Sequence, residues 1–255
     1  MIQMLVIDLD RTLLHTDKTV SQYSVDVLKR CRERGIKTVF ATARPIRTVR
    51  QYTEQVTCDA VIYHNGAFTM ADGRRVGPSF MVPIAEARRI LKHMQAACEG
   101  KKLSVEIDDT LYANFDVSAI WNYTSAVRTD FTNLPDADAD KLIIEISTAE
   151  EYEHVLALLP PGLYAEMSDG KLCLVMNRGA TKLNAVKGLS TAWGIPMTDI
   201  AAFGDDLNDI GMIRHCGVGV AMQNAVPEVL DTADAVTLSN DDDGVADYIA
   251  RHILR

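Results

Sequence analysis

A short apolar run, Met4, Leu5, Val6 and Ile7, stops abruptly at Asp8-Leu9-Asp10-Arg11-Thr12. An apolar run this short reads as a buried strand. It delivers two carboxylates, one residue apart, to its C-terminal end. Two like charges about 4 Å apart repel by roughly 4 kcal/mol at an effective dielectric near 20, so such a strand end calls for a cation or a shared proton. A solvated acidic turn is the plain alternative, and D-x-D-x-T alone does not choose between them.

The same pattern recurs. Ser21 is a good N-cap for a helix that runs to Gly35, with Val25, Leu28 and Cys31 at spacing three. A second strand at 36–41 precedes a helix opening at Pro45, and a third run, 60–63, leads into a turn at Asn65-Gly66. Alternating strands and helices predict a parallel sheet with helices on its faces. From 83 to 177 the pattern changes. Here the sequence predicts a helix at 84–97, a hairpin of 103–107 with 111–114 across Asp108-Asp109-Thr110, a strand at 141–147, a helix at 149–159 and a second hairpin of 164–167 with 171–176. The acidic loop 135–140 is expected on the surface. After Gly179 the strand–helix pattern returns, so the chain reads as one α/β domain, 1–82 with 178–255, interrupted by an α+β domain at 83–177.

In open parallel sheets ligands bind beyond the carboxyl ends of the strands, which is how distant segments can meet. Thr42-Ala43-Arg44-Pro45 ends the second strand and offers a hydroxyl and backbone N–H groups at a helix start, a good seat for phosphate. Gly179-Ala180-Thr181-Lys182 opens a helix with a compact cation in its first turn. Ile200-Ala201-Ala202-Phe203-Gly204 is another strand, and it ends in a second acidic cluster, Asp205-Asp206-Leu207-Asn208-Asp209. Together these parts suit metal-assisted phosphoryl transfer. Clustered carboxylates with no paired His or Cys ligands favour a hard cation, magnesium best.

The four segments, in this order, resemble the signature of the haloacid dehalogenase superfamily. Asn65-Gly66-Ala67, the run Val220-Ala221-Met222-Gln223-Asn224-Ala225 and Asp242-Asp243-Gly244-Val245-Ala246 are similar to its Cof-type branch, with a type IIB cap. The resemblance implies a Rossmann-like parallel-sheet core with helices on both faces and an inserted α+β cap. It implies a magnesium-dependent phosphatase of small phosphorylated metabolites, sugar phosphates above all, working through an aspartyl-phosphate. By resemblance Asp8 is the nucleophile and Asp10 the acid/base. Mg2+ would be held by Asp8, the backbone carbonyl of Asp10 and the side chain of Asp205, with Asp209 acting through water or as an orienting group. Thr42, the Ala43 N–H, Lys182 and Asn208 would surround the phosphoryl oxygens, and Arg44 either joins them or pairs with an acid. Asn65 is expected to shape its own turn and Asn224 to cap the following helix; Trp121 and Tyr123 are expected to pack in the cap rather than form a substrate shelf. The chain departs from the family in carrying Arg11 and Ala43 where glycine is usual. Two other readings share these residues: a phosphomutase or phosphotransferase using the same intermediate, and a regulatory protein that binds a phosphorylated metabolite.

Composition bounds the rest. A formal charge of -9 argues against a nucleic-acid partner, which needs clustered cations, and Lys29, Arg30, Arg32 and Arg34 read as one solvated helix face. The five cysteines lie at irregular spacings with no C-x-x-C pair, which predicts reduced, packed thiols. No apolar run approaches the ~18 residues needed to span a bilayer, and the N-terminus lacks a basic leader, so a cytoplasmic location without a membrane partner is expected. Gly217-Val218-Gly219 lacks the third glycine of a dinucleotide fingerprint, and there is no P-loop or G-x-S-x-G elbow.

Overall fold

The computed structural model describes every residue except 99, 120–125 and 169, so the expectations for Trp121 and Tyr123 lie outside the described residues. The chain forms two compact units, Met1–Ser79 with Thr181–Arg255, and Phe80–Ala180. No helix among the described residues is long and apolar enough to cross a membrane.

In the discontinuous unit, Met4–Asp8 lies between Ile200–Gly204 and Lys37–Ala41 and pairs with both in parallel. Ala60–Tyr63 continues the parallel sheet beyond Lys37–Ala41; Val218–Ala221 and Ala235–Val236 continue it on the other side. Two short antiparallel strands, Phe68–Ala71 and Arg74–Arg75, complete eight. Successive strand residues point to opposite faces. Met4 and Val6 therefore join Val39, Ile62 and Ala202 against Val186, Leu189 and Ile213 of the helices on one side. Leu5, Ile7, Phe40 and Phe203 are fully buried on the other, where Tyr248 of the C-terminal helix meets Phe203 edge-on at 5.7 Å. Both faces are covered, which is why the strands carry apolar residues without alternation.

Helix ends follow their local chemistry. The Ser21 hydroxyl accepts the Ser24 N–H at 3.0 Å and starts Gln22–Glu33. The buried stripe of this helix is Ser24, Val27, Leu28 and Cys31, so Val27 takes the core position expected of Val25. Pro45 is the N-cap of Ile46–Thr53 rather than its first residue. Thr181 caps Lys182–Trp193 by accepting the Asn184 N–H at 3.1 Å, and Gly194, with φ +65°, ends it.

The inserted unit is a six-stranded mixed sheet in the order Leu163–Ser168, Leu172–Asn177, Lys141–Glu145, Leu103–Ile107, Thr110–Ala113, Ala126–Arg128, antiparallel except for its last pair. Helices Ile84–Ala97 and Ala149–Leu158 contribute Ile90, Leu91 and Val155 to a core with Val105, Leu142, Ile144 and Val175. The first hairpin turns on Asp108 and Asp109, whose φ values of +47° and +60° fit the mirror-image turn that a twisted hairpin needs. The acidic loop is not wholly on the surface. Ala139 exchanges two backbone hydrogen bonds with Val82, 2.7 and 2.8 Å, and this pairing draws Ala139 and Asp140 into the interior. All five cysteines are free; burial pushes Cys31 up to about 11 and Cys58, Cys173 and Cys216 up to about 12, leaving them as poor nucleophiles.

Gly66 has φ +103°, and a Cβ there would collide with the backbone carbonyl of Thr181. Gly66→Ala should cost about 3 kcal/mol or more, read as a lower urea midpoint. Gly35→Ala, at φ +77° with open space around it, should cost only about 1 kcal/mol. Equal losses would show that backbone conformation, not the contact with Thr181, governs this position.

Candidate active site

The side-by-side strands bring Asp8, Thr42 and Asp205 to one edge of the sheet, and the helix capped by Thr181 points its first residue at them. The Lys182 ammonium donates to Asp8 Oδ1 at 2.5 Å and to Asp209 Oδ1 at 2.6 Å, fully buried. Asp209 Oδ2 accepts the backbone N–H groups of Asp205 and Asp206 at 3.0 and 3.2 Å. Such an approach requires Gly204, because a Cβ there would overlap the Asp209 side chain. Thr12 donates its hydroxyl proton to Asp205 Oδ1 at 2.9 Å. The carboxylate oxygens of Asp8, Asp205 and Asp209 all come within 4.8 Å of one another.

One buried ammonium faces three buried carboxylates, with the mostly exposed Arg11 guanidinium 3.8 Å from Asp205 Oδ2, and the balance shows in their proton affinities. Burial pushes Asp8 well above the ordinary carboxylate range and Asp209 and Asp205 add to it, against the pull of Lys182. Burial likewise lifts Asp205 to about 6. For Lys182, burial opposes the charge, but Asp209 and Asp8 outweigh it and hold the ammonium above its usual pKa. The lysine therefore stays charged and the cluster remains short of positive charge. A hard divalent cation fits that deficit, because the available donors are all oxygens. Asp209 has both oxygens engaged by Lys182 and the two N–H groups, so Asp8 and Asp205 are the carboxylates open to an ion, with Asp209 orienting the lysine.

Asp10 is not in this cluster. Its carboxylate is gripped by Arg44, Nε to Oδ2 and Nη2 to Oδ1 both at 2.6 Å, and by Lys18 Nζ at 2.8 Å. Burial would raise its pKa, but the hydrogen bonds from Arg44 and Lys18 bring it down to about 2. Arg44 is thus committed to an acid and stacks 5.3 Å from the Tyr52 ring centre. The Thr42 hydroxyl, buried, accepts the Arg44 N–H at 3.1 Å, with Ala43 between them. Asn208 donates to Asn65 Oδ1 at 3.0 Å, and the Asn65 N–H, on a left-handed backbone of φ +58°, donates to the Thr42 carbonyl at 2.9 Å. Asn65 therefore shapes its turn and also links Asn208 to Thr42.

Sequence reasoning gave no role to Thr12 or Lys18 and misplaced Asn224. Asn224 does not cap the next helix, whose N-cap is Val226; its Nδ2 donates to the Arg11 carbonyl at 2.8 Å. The Asp242-Asp243-Gly244 motif has a similar bracing task. Asp243 Oδ1 accepts from Ser21 at 2.5 Å and Ser24 at 3.2 Å and lies 3.1 Å from His15 Nε2, tying down the segment after the first strand. The one available signal was position: both residues lie in C-terminal motifs with no other evident duty.

Residues 5–249 match the family of haloacid dehalogenase-like hydrolases, and the chain belongs to it. Its fold, a mainly parallel sheet interrupted by a second, mixed sheet, is that of the family's IIB-capped structures, and it is a phosphatase, a hydrolase of phosphoric monoesters. A Haemophilus influenzae relative is 31% identical over 250 residues, covering 94% of each chain. The Bacillus subtilis 5-amino-6-(5-phospho-D-ribitylamino)uracil phosphatase YitU is 26% identical over 98% of this chain and 97% of its own. Among solved structures, a phosphatase of the superfamily from Bacteroides thetaiotaomicron superposes with a TM-score of 0.85 at 27% identity, covering 98% of this chain and 95% of its own.

Asp205 sets a pH signature. Its folded pKa of about 6 lies above the ordinary carboxylate value, so protonation favours the native state and stability rises as pH falls through 6 towards 4. With metal removed by chelator, Asp205 should contribute a gain of about 1 kcal/mol between pH 7 and pH 5, with Asp8 adding to it in the same direction, and Asp205→Asn should show a shallower rise by urea unfolding. Asp10, drawn down to about 2, acts with the opposite sign and only below about pH 4.

Proposed function

We propose that this protein hydrolyses small phosphorylated metabolites, sugar phosphates foremost, in two steps through a phosphorylated Asp8, with Mg2+ as cofactor. The observation that carries the reading is the buried Asp8 carboxylate, held 2.5 Å from Lys182 with Asp205 beside it. An Asp8 oxygen attacks phosphorus, the bond to the leaving oxygen breaks, and Asp10 supplies the proton that oxygen needs. Water then attacks the aspartyl-phosphate, Asp10 takes its proton, and inorganic phosphate leaves with Asp8 restored. Lys182, the Thr42 hydroxyl, the Ala43 N–H and Asn208 neutralise and orient the phosphoryl oxygens. Mg2+, held by Asp8, the Asp10 backbone carbonyl and Asp205, would neutralise developing charge and keep Asp8 ionised.

Asp10 cannot serve as an acid while Arg44 and Lys18 both hold it as a carboxylate. An anionic substrate competes for those two cations, and its arrival frees the carboxyl for proton transfer. The preference for sugar phosphates draws on the Cof-type resemblance and on YitU, whose named substrate carries its phosphate on a ribityl chain.

Asp8→Asn keeps the shape of the side chain and removes the nucleophile, so kcat should fall by at least about a thousandfold while the fold survives. Asp10→Asn should slow an alkyl phosphate far more than a nitrophenyl phosphate, whose leaving group needs no proton; equal losses would remove the acid role. Chelation should abolish phosphate release and magnesium restore it. A release screen over phosphosugars, nucleotides, pyridoxal phosphate and flavin mononucleotide identifies the substrate class. Phosphate recovered on an added alcohol or sugar instead of in solution would mark a phosphotransferase.

A further inference from the structure

The turn after Asp10 contains a residue in a conformation that glycine adopts freely and a residue with a side chain does not. Arg11 has φ +60°. The surroundings enforce it: Asn224 Nδ2 donates to the Arg11 carbonyl at 2.8 Å, and Arg11 Nη2 donates back to the Asn224 carbonyl at 3.3 Å. Asn224 Oδ1 is itself fixed by the Asn240 N–H at 2.9 Å, and Asn240 Nδ2 reaches the Leu14 carbonyl at 3.0 Å. Strain held in place by four hydrogen bonds beside a reactive cluster points to a task for the side chain.

The side chain has one. Arg11 Nε lies 3.8 Å from Asp205 Oδ2, while Oδ1 of the same carboxylate is occupied by the Thr12 hydroxyl at 2.9 Å. The oxygen left for an ion thus faces a guanidinium. The Asp205 side chain is buried and that of Arg11 is 60% exposed, so the guanidinium can turn into water at small desolvation cost, whereas its Cα is pinned by Asn224.

We propose that Arg11 is a built-in competitor of the divalent cation, standing in for it at Asp205 Oδ2 when the site carries no metal and repelling it when it enters. The proposal rests on the reading of Asp8 and Asp205 as holders of that ion. A guanidinium and a divalent ion that share one carboxylate oxygen repel each other at close range, and the tether at Cα keeps the repulsion from vanishing when the side chain turns outward. Metal occupancy then follows the free magnesium concentration instead of being saturated at all times.

The test is binding, without turnover. Mg2+ is titrated calorimetrically into the metal-free full chain, with Mn2+ followed by the resonance of the free ion, for wild type, Arg11→Gln and Arg11→Gly. Gln removes the charge and keeps the strained backbone; Gly removes both. Both variants should bind the ion about tenfold more tightly than wild type. Unchanged or weaker affinity in Arg11→Gln overturns the proposal whatever Arg11→Gly does, since a gain in Gly alone belongs to the backbone. Equal binding by all three proteins defeats Arg11 as competitor and leaves the metal site standing. No binding by any of them overturns the metal reading and this proposal with it.

Discussion

The Lys182 ammonium, wedged between Asp8 and Asp209, is the contact on which the rest of the site depends. Isolated, each of these carboxylates would be too costly to ionise in the interior. The lysine makes their burial tolerable without cancelling it, since three acids share one buried cation and only Asp205 has a second, mostly exposed one, Arg11, at 3.8 Å. Buried ion pairs of this kind contribute little net stability and define geometry instead. Here they join the start of one helix to the end of one strand and the turn of another, fixing the position of Asp8 within hydrogen-bond tolerance.

The sheet makes that contact possible. Parallel pairing of Met4–Asp8 with Lys37–Ala41 and Ile200–Gly204 sets three strand ends in a row, and two glycines remove the bulk that would block the final approach. Gly204 admits Asp209, and Gly66 admits the backbone of Thr181, whose hydroxyl caps the lysine's helix. Thr12, Asn224 and Asp243 add a lattice of hydrogen bonds around the turn after Asp8. Rigidity is therefore concentrated where the proposed chemistry requires alignment.

Much of this was legible in the sequence, for a physical reason. Strands buried on both faces appear as unbroken apolar runs, and helix caps such as Ser21 and Thr181 act through neighbours three residues away, so local reading finds them. The convergence of Asp8, Thr42 and Asp205 was legible because strand ends in a parallel sheet must share an edge, while Lys182, at the start of a helix, was joined to them by the family resemblance. What escaped was set by long-range partners. Nothing near Asp10 in sequence announces Arg44 as its clamp, and Asn224 serves a carbonyl on a loop more than two hundred residues earlier. Ala139 and Asp140 lie in a stretch as polar as any surface loop, yet pairing with Val82 draws them inside. Val27 displaced Val25 because a stripe of spacing three leaves two alternatives, and the neighbouring sheet chose.

The order of the strands also bears on synthesis. Met4–Asp8 obtains one neighbour early, from Lys37–Ala41, but its other neighbour, Ile200–Gly204, lies beyond the whole of Phe80–Ala180. That inserted stretch is contiguous and carries its own core, so on the ribosome it has all its partners while the surrounding unit still lacks three of its eight strands. Contacts this distant in sequence are slow to close. A nascent chain therefore carries Asp8 for most of its elongation without Lys182 or Asp205, and acquires reactive geometry only when the last third has been delivered.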